Sequence, residues 1–148
     1  MDNPAFEVIV TDWATHQAEL TAIRRAVFID EQGVPESLEI DGEDARCVHA
    51  LARAAGGGAI GTGRLLPSGQ IGRMAVVRAW RGRGVGLRLL QTLVAEARRR
   101  RLSCHLNAQT HALDFYAQAG FRAQGEEFME AGIAHRRMVL AADPRRTR

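Results

Sequence analysis

The chain has 148 residues, of which 46% are hydrophobic and 25% charged, with a formal net charge of +3. That size fits one compact domain with its own core, and no apolar stretch approaches the ~20 residues that a membrane-crossing helix needs. Cys47 and Cys104 form neither a disulfide framework nor a metal-ligand spacing, so they read as buried thiols and no metal is expected.

Charge is unevenly placed along the chain. Residues 1–63 carry 11 acids against 4 arginines and residues 64–148 carry 6 acids against 16 arginines, so the halves stand at −7 and +10. A basic half suits a ligand bearing phosphates, and an acidic half would attract a cationic one. Nucleic acid is the other reading of a basic half, but Arg98–Arg101 close a helix whose C-terminal dipole favours cations, and no aromatic residues alternate with them. No nucleic-acid partner and no membrane partner is therefore expected.

The elements follow in order. The N-terminal segment MDNPAFEVIV lacks a basic region, an apolar run and a cleavage site, which predicts a cytoplasmic protein. Within it begins a first strand, FEVIVTDW. HQAELTAIRRAVFIDEQ predicts an amphipathic helix with Leu20, Ile23, Val27 and Phe28 on its apolar side, stopped by Gly33 and Pro35. The acidic stretch PESLEIDGEDA reads as a loop or broken helix. Three strands, CVHALARAA, AIGTGRLLP and QIGRMAVVR, are separated by GGG and PSG turns and predict a meander. A long helix then runs to about Arg101, followed by strand SCHLNAQ, helix THALDFYAQAG and a final strand pair, FRAQGEEFME and IAHRRMVLA; the tail ADPRRTR is expected to fray.

Between the third strand of the meander and the long helix lies the run Arg81-Gly82-Arg83-Gly84-Val85-Gly86. Glycines at alternate positions leave the backbone bare, and the helix that follows offers unpartnered N–H groups and a dipole that favours an anion. A strand, a bare turn and a helix start together predict a diphosphate cradle. A Walker loop is excluded, because the chain has no lysine at all. A dinucleotide fingerprint fits poorly: its third glycine would fall one residue later, and no acid follows at the required distance.

The cradle resembles the acetyl-CoA loop of the GNAT (GCN5-related N-acetyltransferase) superfamily, Arg/Gln-x-x-Gly-x-Gly/Ala, at Arg81, Gly84 and Gly86. Two further stretches carry the resemblance. SCHLNAQ followed by FYAQAGF places Asn107, Tyr116 and Gly120-Phe121 at the family's spacing, and RRAVFIDEQGVPESLEIDGEDARCVHAL is similar to a signature of the ElaA-like branch. The resemblance, spanning about residues 20–140, implies an α/β (mixed α+β) fold over one domain, 1–148. Its central sheet would be mixed and mostly antiparallel, with about seven strands flanked by about four helices. It implies acetyl-CoA as cosubstrate and acetyl transfer to a primary amine, either a small molecule or a protein N-terminus, by direct attack in a ternary complex. Dimers are common among such proteins, so a homodimer is among the expected states. A catalytically silent CoA-binding sensor, or an interaction module on the same fold, is the alternative.

Site residues follow from the same resemblance. The backbone of Met74, Ala75 and Val76 would hold the acyl oxygen and the pantetheine arm, the run Arg81, Gly82, Arg83, Gly84, Val85 and Gly86 the diphosphate, and Asn107 the arm further along. Tyr116, the only tyrosine, would protonate the departing thiolate; its other reading is a packing aromatic. An alkylammonium must also lose a proton. Glu31 and His49 are the candidate bases, although Glu31 equally reads as a solvated helix end and His49 as a core histidine. Asp41, Glu43, Asp44 and His111 are further candidates, as is water.

Overall fold

The computed structural model describes residues 5–141, so the expected fraying of 142–148 lies outside the described residues. Seven strands form one sheet in the order β1-β2-β3-β4-β5-β7-β6: β1 Phe6–Thr11, β2 Val48–Ala54, β3 Ala59–Leu65, β4 Gln70–Val76, β5 His105–Gln109, β6 Phe121–Glu130 and β7 Ile133–Leu140. Only β4 and β5 run parallel; every other neighbouring pair is antiparallel. The meander of β2, β3 and β4 and the closing β6–β7 hairpin stand where their turn residues predict them.

Helices cover both faces. The helix α1, Trp13–Arg24, is capped by Asp12, whose carboxylate accepts from the Thr15 backbone N–H at 2.8 Å. It buries Leu20 and Ile23, which join Val27, Phe28, Leu51 and Ala75 in a cluster on one face of the sheet. The sequence predicts one continuous helix to Gln32, but the chain widens into a π-helical segment, Arg25–Glu31, where the Gln32 N–H reaches back five residues to the Val27 carbonyl at 3.0 Å. A short α2, Glu36–Glu39, and a 3-10 turn, Asp44–Arg46, make up the broken acidic stretch.

On the opposite face lies α3, Val85–Arg99, which buries Val85, Leu89, Leu90, Leu93 and Ala97 along one stripe. It can sit close because β3 carries Gly61 and Gly63 beneath it. A Cβ at Gly61 would come within 2.9 Å of the Leu89 side chain, and one at Gly63 within 2.9 Å of the Leu93 side chain. The short α4, Leu113–Gln118, packs on the same core through Leu113, Phe115 and Tyr116. The result is a three-layer arrangement with the sheet in the middle.

Candidate active site

A groove of about 850 Å³ opens where the sheet comes apart. Parallel pairing of β4 with β5 extends only over Gln70–Ile71 against His105–Leu106. Past that point β4 bulges. Two residues, Arg73 and Met74, stand between Gly72 and Ala75 where β3 has only Gly63, and Arg73 takes up the excess at φ 52°. Ala75 and Val76 therefore keep β3 on one side, and Met74, Ala75 and Val76 line the groove, where their outward edge meets no strand.

At one end of the groove stands the glycine turn. Gly82 and Gly84 have φ of 77° and 85°, left-handed values at which a side chain is strained. Gly84 caps α3 with no side-chain bond to the first N–H groups, and no acid occupies the first helical turn. A Cβ at Gly82 or Gly84 would meet nothing within 4 Å, so open space faces these amides. A diphosphate fits that opening on the turn's own geometry. Gly86 is different: its Cβ would touch Phe115 at 3.5 Å, which ties it to packing between α3 and α4.

The arginines of the turn divide. Arg81 donates Nη1 and Nη2 to the two oxygens of Glu31, each at 2.6 Å, and Nε to the Val76 carbonyl at 2.9 Å. Arg78 adds a contact to Glu31 at 3.4 Å. Arg81 thus clips the turn to the π-helical segment, and its guanidinium holds the Glu31 carboxyl below the usual carboxylate range. Arg83 has no carboxylate partner among the described residues; it lies 4.8 Å over the Trp80 ring, which itself packs edge-on against Phe6. Val85, the sixth residue of the run, is buried in the core.

Tyr116 and Asn107 line the groove from the side of β5 and α4. The Tyr116 ring packs edge-on against Phe115 and Phe121, and its hydroxyl has no hydrogen-bond partner among the described residues. Burial pushes the phenol up to about 12. Asn107 Nδ2 donates to Glu130 Oε1 at 3.3 Å. Above them, Gln32 and Gln109 exchange amide hydrogen bonds of 3.1 and 3.4 Å, tying the end of the π-helical segment to the end of β5.

The acidic stretch behaves differently from what its composition predicts. Glu39, Asp41 and Asp44 do not present free negative charge to a cationic ligand, because three arginines from elsewhere in the chain are turned on them. Arg24 donates Nε to Glu39 at 2.7 Å and Nη1 to Asp44 at 2.6 Å. Arg64 donates Nη1 to both Asp41 and Asp44 at 3.0 Å, and Arg73 pairs with Glu39 and Asp41 at 3.2 and 3.3 Å. Arg24, Arg64, Glu39 and Asp44 are buried. Burial alone would raise both the Asp44 and Asp41 carboxyls, yet the Arg24 and Arg64 guanidiniums hold Asp44 below the usual range, and Arg64, the Glu43 backbone N–H and Arg73 hold Asp41 well below it. Three positive charges meet three negative ones, and this wall is close to neutral.

His49 lies inside that network, away from the groove. It is fully buried, its ring packs 5.5 Å from Trp13, and Nε2 donates to the Asp44 carbonyl at 3.0 Å while Nδ1 is sealed without a partner. Burial lowers its pKa, keeping the ring neutral. Glu43 pairs with Arg46 at the surface, and His111 lines the groove from the 3-10 turn Thr110–Ala112. Cys47 and Cys104 are buried, with burial raising both thiols, and neither lines the groove. Among the described residues no cluster of His, Cys, Asp or Glu could hold a metal ion.

Two groove residues escape sequence reasoning altogether. Glu130 and His135 sit at the turn end of the β6–β7 hairpin, read from the sequence only as strand positions. The signal that finds them is register: Gln109 pairs with His135 and Glu130 with Ile133, which carries the polar face of β5 across to both.

Comparison with known proteins agrees with this geometry. The acetyltransferase (GNAT) domain family matches residues 12–142. The chain is 35% identical over 122 residues to the uncharacterized N-acetyltransferase YjcF of Bacillus subtilis, covering 79% of this chain and 86% of that one. A crystal structure of an acyl-CoA N-acyltransferase from Pseudomonas aeruginosa superposes with a TM-score of 0.82 at 30% identity, covering 92% of this chain and 99% of the other. Escherichia coli ElaA superposes equally well, with a TM-score of 0.82 at 27% identity over 92% of this chain and 99% of its own. With its split sheet, bare glycine turn and groove, the chain belongs to the GNAT acetyltransferase family, in its ElaA-like branch, and is an acyl-CoA-dependent acyltransferase.

Proposed function

We propose that this protein moves an acetyl group from acetyl-CoA to a primary amine by direct attack, with both substrates bound at once. The observation that carries this reading is the continuity of one groove, from Arg81 at the glycine turn, along Met74–Val76, to Tyr116 and Asn107 where β4 and β5 part. The cosubstrate supplies the acyl thioester. The amides that open α3 would face its diphosphate, and the free edge of Met74–Val76 would accept its arm and the acyl oxygen. An amide aimed at a developing oxyanion is typically worth ~10²–10³-fold in rate.

Tyr116 is the proton donor to sulfur. A phenol near 12 is protonated at every physiological pH, but its proton moves uphill to a thiolate whose parent thiol lies near ~8.5. The transfer is favourable only if the phenol recovers a proton from the attacking nitrogen in the same step, so Tyr116 works as a relay. Glu31, held low by Arg81, is a poor base, and its place is to fix the turn against the π-helical segment. His49 is sealed from the groove, where it orders the Asp44 loop. Burial of both thiols away from the groove supports direct transfer over an acyl-enzyme.

The acceptor wall formed by Val27, Phe28, Val34 and Leu38 is apolar, and the carboxylates beside it are paired. That surface favours an amine with an apolar body over a polyamine. One sheet running from residue 6 to residue 140 supports a single catalytic domain over 1–148, and the groups named all come from one chain, so a homodimer would not be needed to complete the site. Dependence on acyl-CoA and two unpaired thiols suit the cytoplasm. The test is consumption of acetyl-CoA thioester across a panel of alkylamines, beside calorimetric titration with acetyl-CoA. Turnover with at least one amine is expected; tight binding without turnover across the panel would make the protein a sensor.

A further inference from the structure

We infer that His135, through Nε2, takes the proton from the acceptor ammonium, and that the neighbouring Glu130 carboxylate seats that ammonium. The inference rests on the acyl-transfer reading above and names the part of the site that receives the amine.

His135 Nδ1 lies 2.7 Å from the Ile133 carbonyl, an oxygen that can only accept, so Nδ1 carries the proton and Nε2 the free lone pair. The Phe128 ring stacks on the imidazole at 5.9 Å and holds its plane. Nε2 has no partner among the described residues, and unlike Nδ1 of His49 it is not sealed from solvent. His135 lines the groove, so its lone pair is open to what the groove holds. Both histidines are buried and oriented, at 0% and 6% exposure, but His135 lines the groove and His49 does not.

Glu130 completes the pair. Of the carboxylates lining the groove, Glu31, Glu39 and Asp41 each face a guanidinium, whereas Glu130 has no cationic partner among the described residues and accepts only from Asn107. Because Glu130 pairs with Ile133 and Phe128 with His135, Glu130 and His135 are diagonal neighbours on one face, a spacing of roughly 7–8 Å that is somewhat shorter between Cβ atoms. One ammonium fits between two such side chains. Other charged or titratable groups around His135 are Arg137 two residues along β7, His111 from the 3-10 turn, Tyr116 from α4 and, across the groove, the Glu31–Arg81 pair; β5 offers only the amides of Asn107 and Gln109 there.

The protons balance. His135 Nε2 takes one proton from the ammonium and releases it to solvent. The freed nitrogen forms the C–N bond, the C–S bond breaks, and sulfur takes the Tyr116 proton. Tyr116 recovers the second nitrogen proton, leaving amide, thiol and one proton in solution.

The test compares two probe acceptors at pH 7: benzylamine, which is an ammonium there, and aniline, which is already neutral and needs no base. H135Q keeps an acceptor-facing amide of similar size. It should lower kcat on benzylamine by roughly 100-fold, yet change kcat on aniline by less than about tenfold. E130Q should raise the benzylamine KM about tenfold with little effect on kcat. Acetyl-CoA affinity should be unchanged in both. Independently of activity, the 15N spectrum of histidine-labelled protein should show His135 as the Nδ1–H tautomer. Wild-type kcat on benzylamine in H135Q, equal losses on both acceptors, or an Nε2–H tautomer would overturn the assignment. Acetyl-CoA binding by the wild type with no turnover of any amine would instead bring down the acyl-transfer reading, and this one with it.

Discussion

Along the wall proposed for the cofactor the groove is lined by the free edge of Met74–Val76 and reaches, at Arg81, the left-handed glycine turn of Gly82 and Gly84. Along the acceptor wall it is lined by side chains fixed by one another, with Arg24, Arg64 and Arg73 turned on Glu39, Asp41 and Asp44. The two walls differ in what they ask of the sequence. Main chain can cradle an anion whatever side chains surround it, provided no Cβ intrudes. A buried ion network requires each member, because an ion left behind without its partner is more costly than the pair was stabilising.

The largest effect should come from breaking the side-chain wall. Arg24→Ala removes the central cation and leaves Glu39 and Asp44 buried and underpaired, which should cost about 3–5 kcal/mol in urea unfolding. Next comes the main-chain wall. Gly84→Asp adds a Cβ at φ 85° and a negative charge where the proposed diphosphate would dock, and should weaken acetyl-CoA binding on the order of 100-fold in calorimetry while far-ultraviolet circular dichroism stays native.

Tyr116→Phe sharpens the contrast, because it touches neither wall's framework. With its hydroxyl unpartnered in the protein, the variant should keep its thermal midpoint and acetyl-CoA affinity and lose turnover by roughly 100-fold. Unchanged turnover would remove Tyr116 from the proton relay.

Acid should distinguish the walls through Asp41. Its folded carboxyl is held below its unfolded value, so its stabilising contribution is fully present above about pH 4 and is lost as pH falls further. The stability gap between the wild type and Asp41→Asn, measured by urea unfolding, should be constant from pH 5 to 7 and shrink below about pH 4. The smallest effect is expected at Gln32→Ala, which opens the amide pair to Gln109 at a cost of about 1 kcal/mol, read as a lower thermal midpoint.

How much could be read before folding tracks the same division. Turn and strand signals placed the meander, the α3 stripe and the closing hairpin, because periodicity and glycine act through local backbone preference. Gly82 and Gly84 were visible for that reason. The π-helical widening over Arg25–Glu31 was not, since nothing in the periodicity of HQAELTAIRRAVFIDEQ distinguishes it from an ordinary helix. Glu31 was visible as an acid near the site, but its Arg81 partner lies 50 positions away. The opposite charges of the two halves suggested an acidic reception surface, and the fold brought Arg64 and Arg73 from the basic half to cancel it.

What the linear order determined about this protein is therefore its local script: where strands, turns and helices fall, and where bare backbone can meet a phosphate. Folding alone decided which charges neutralise one another, which histidine lies in the core and which lines the groove, and where β4 leaves β5. Those outcomes depend on strand register and on contacts between residues distant in the chain, and neither register nor distant pairing is encoded in the propensity of any short segment.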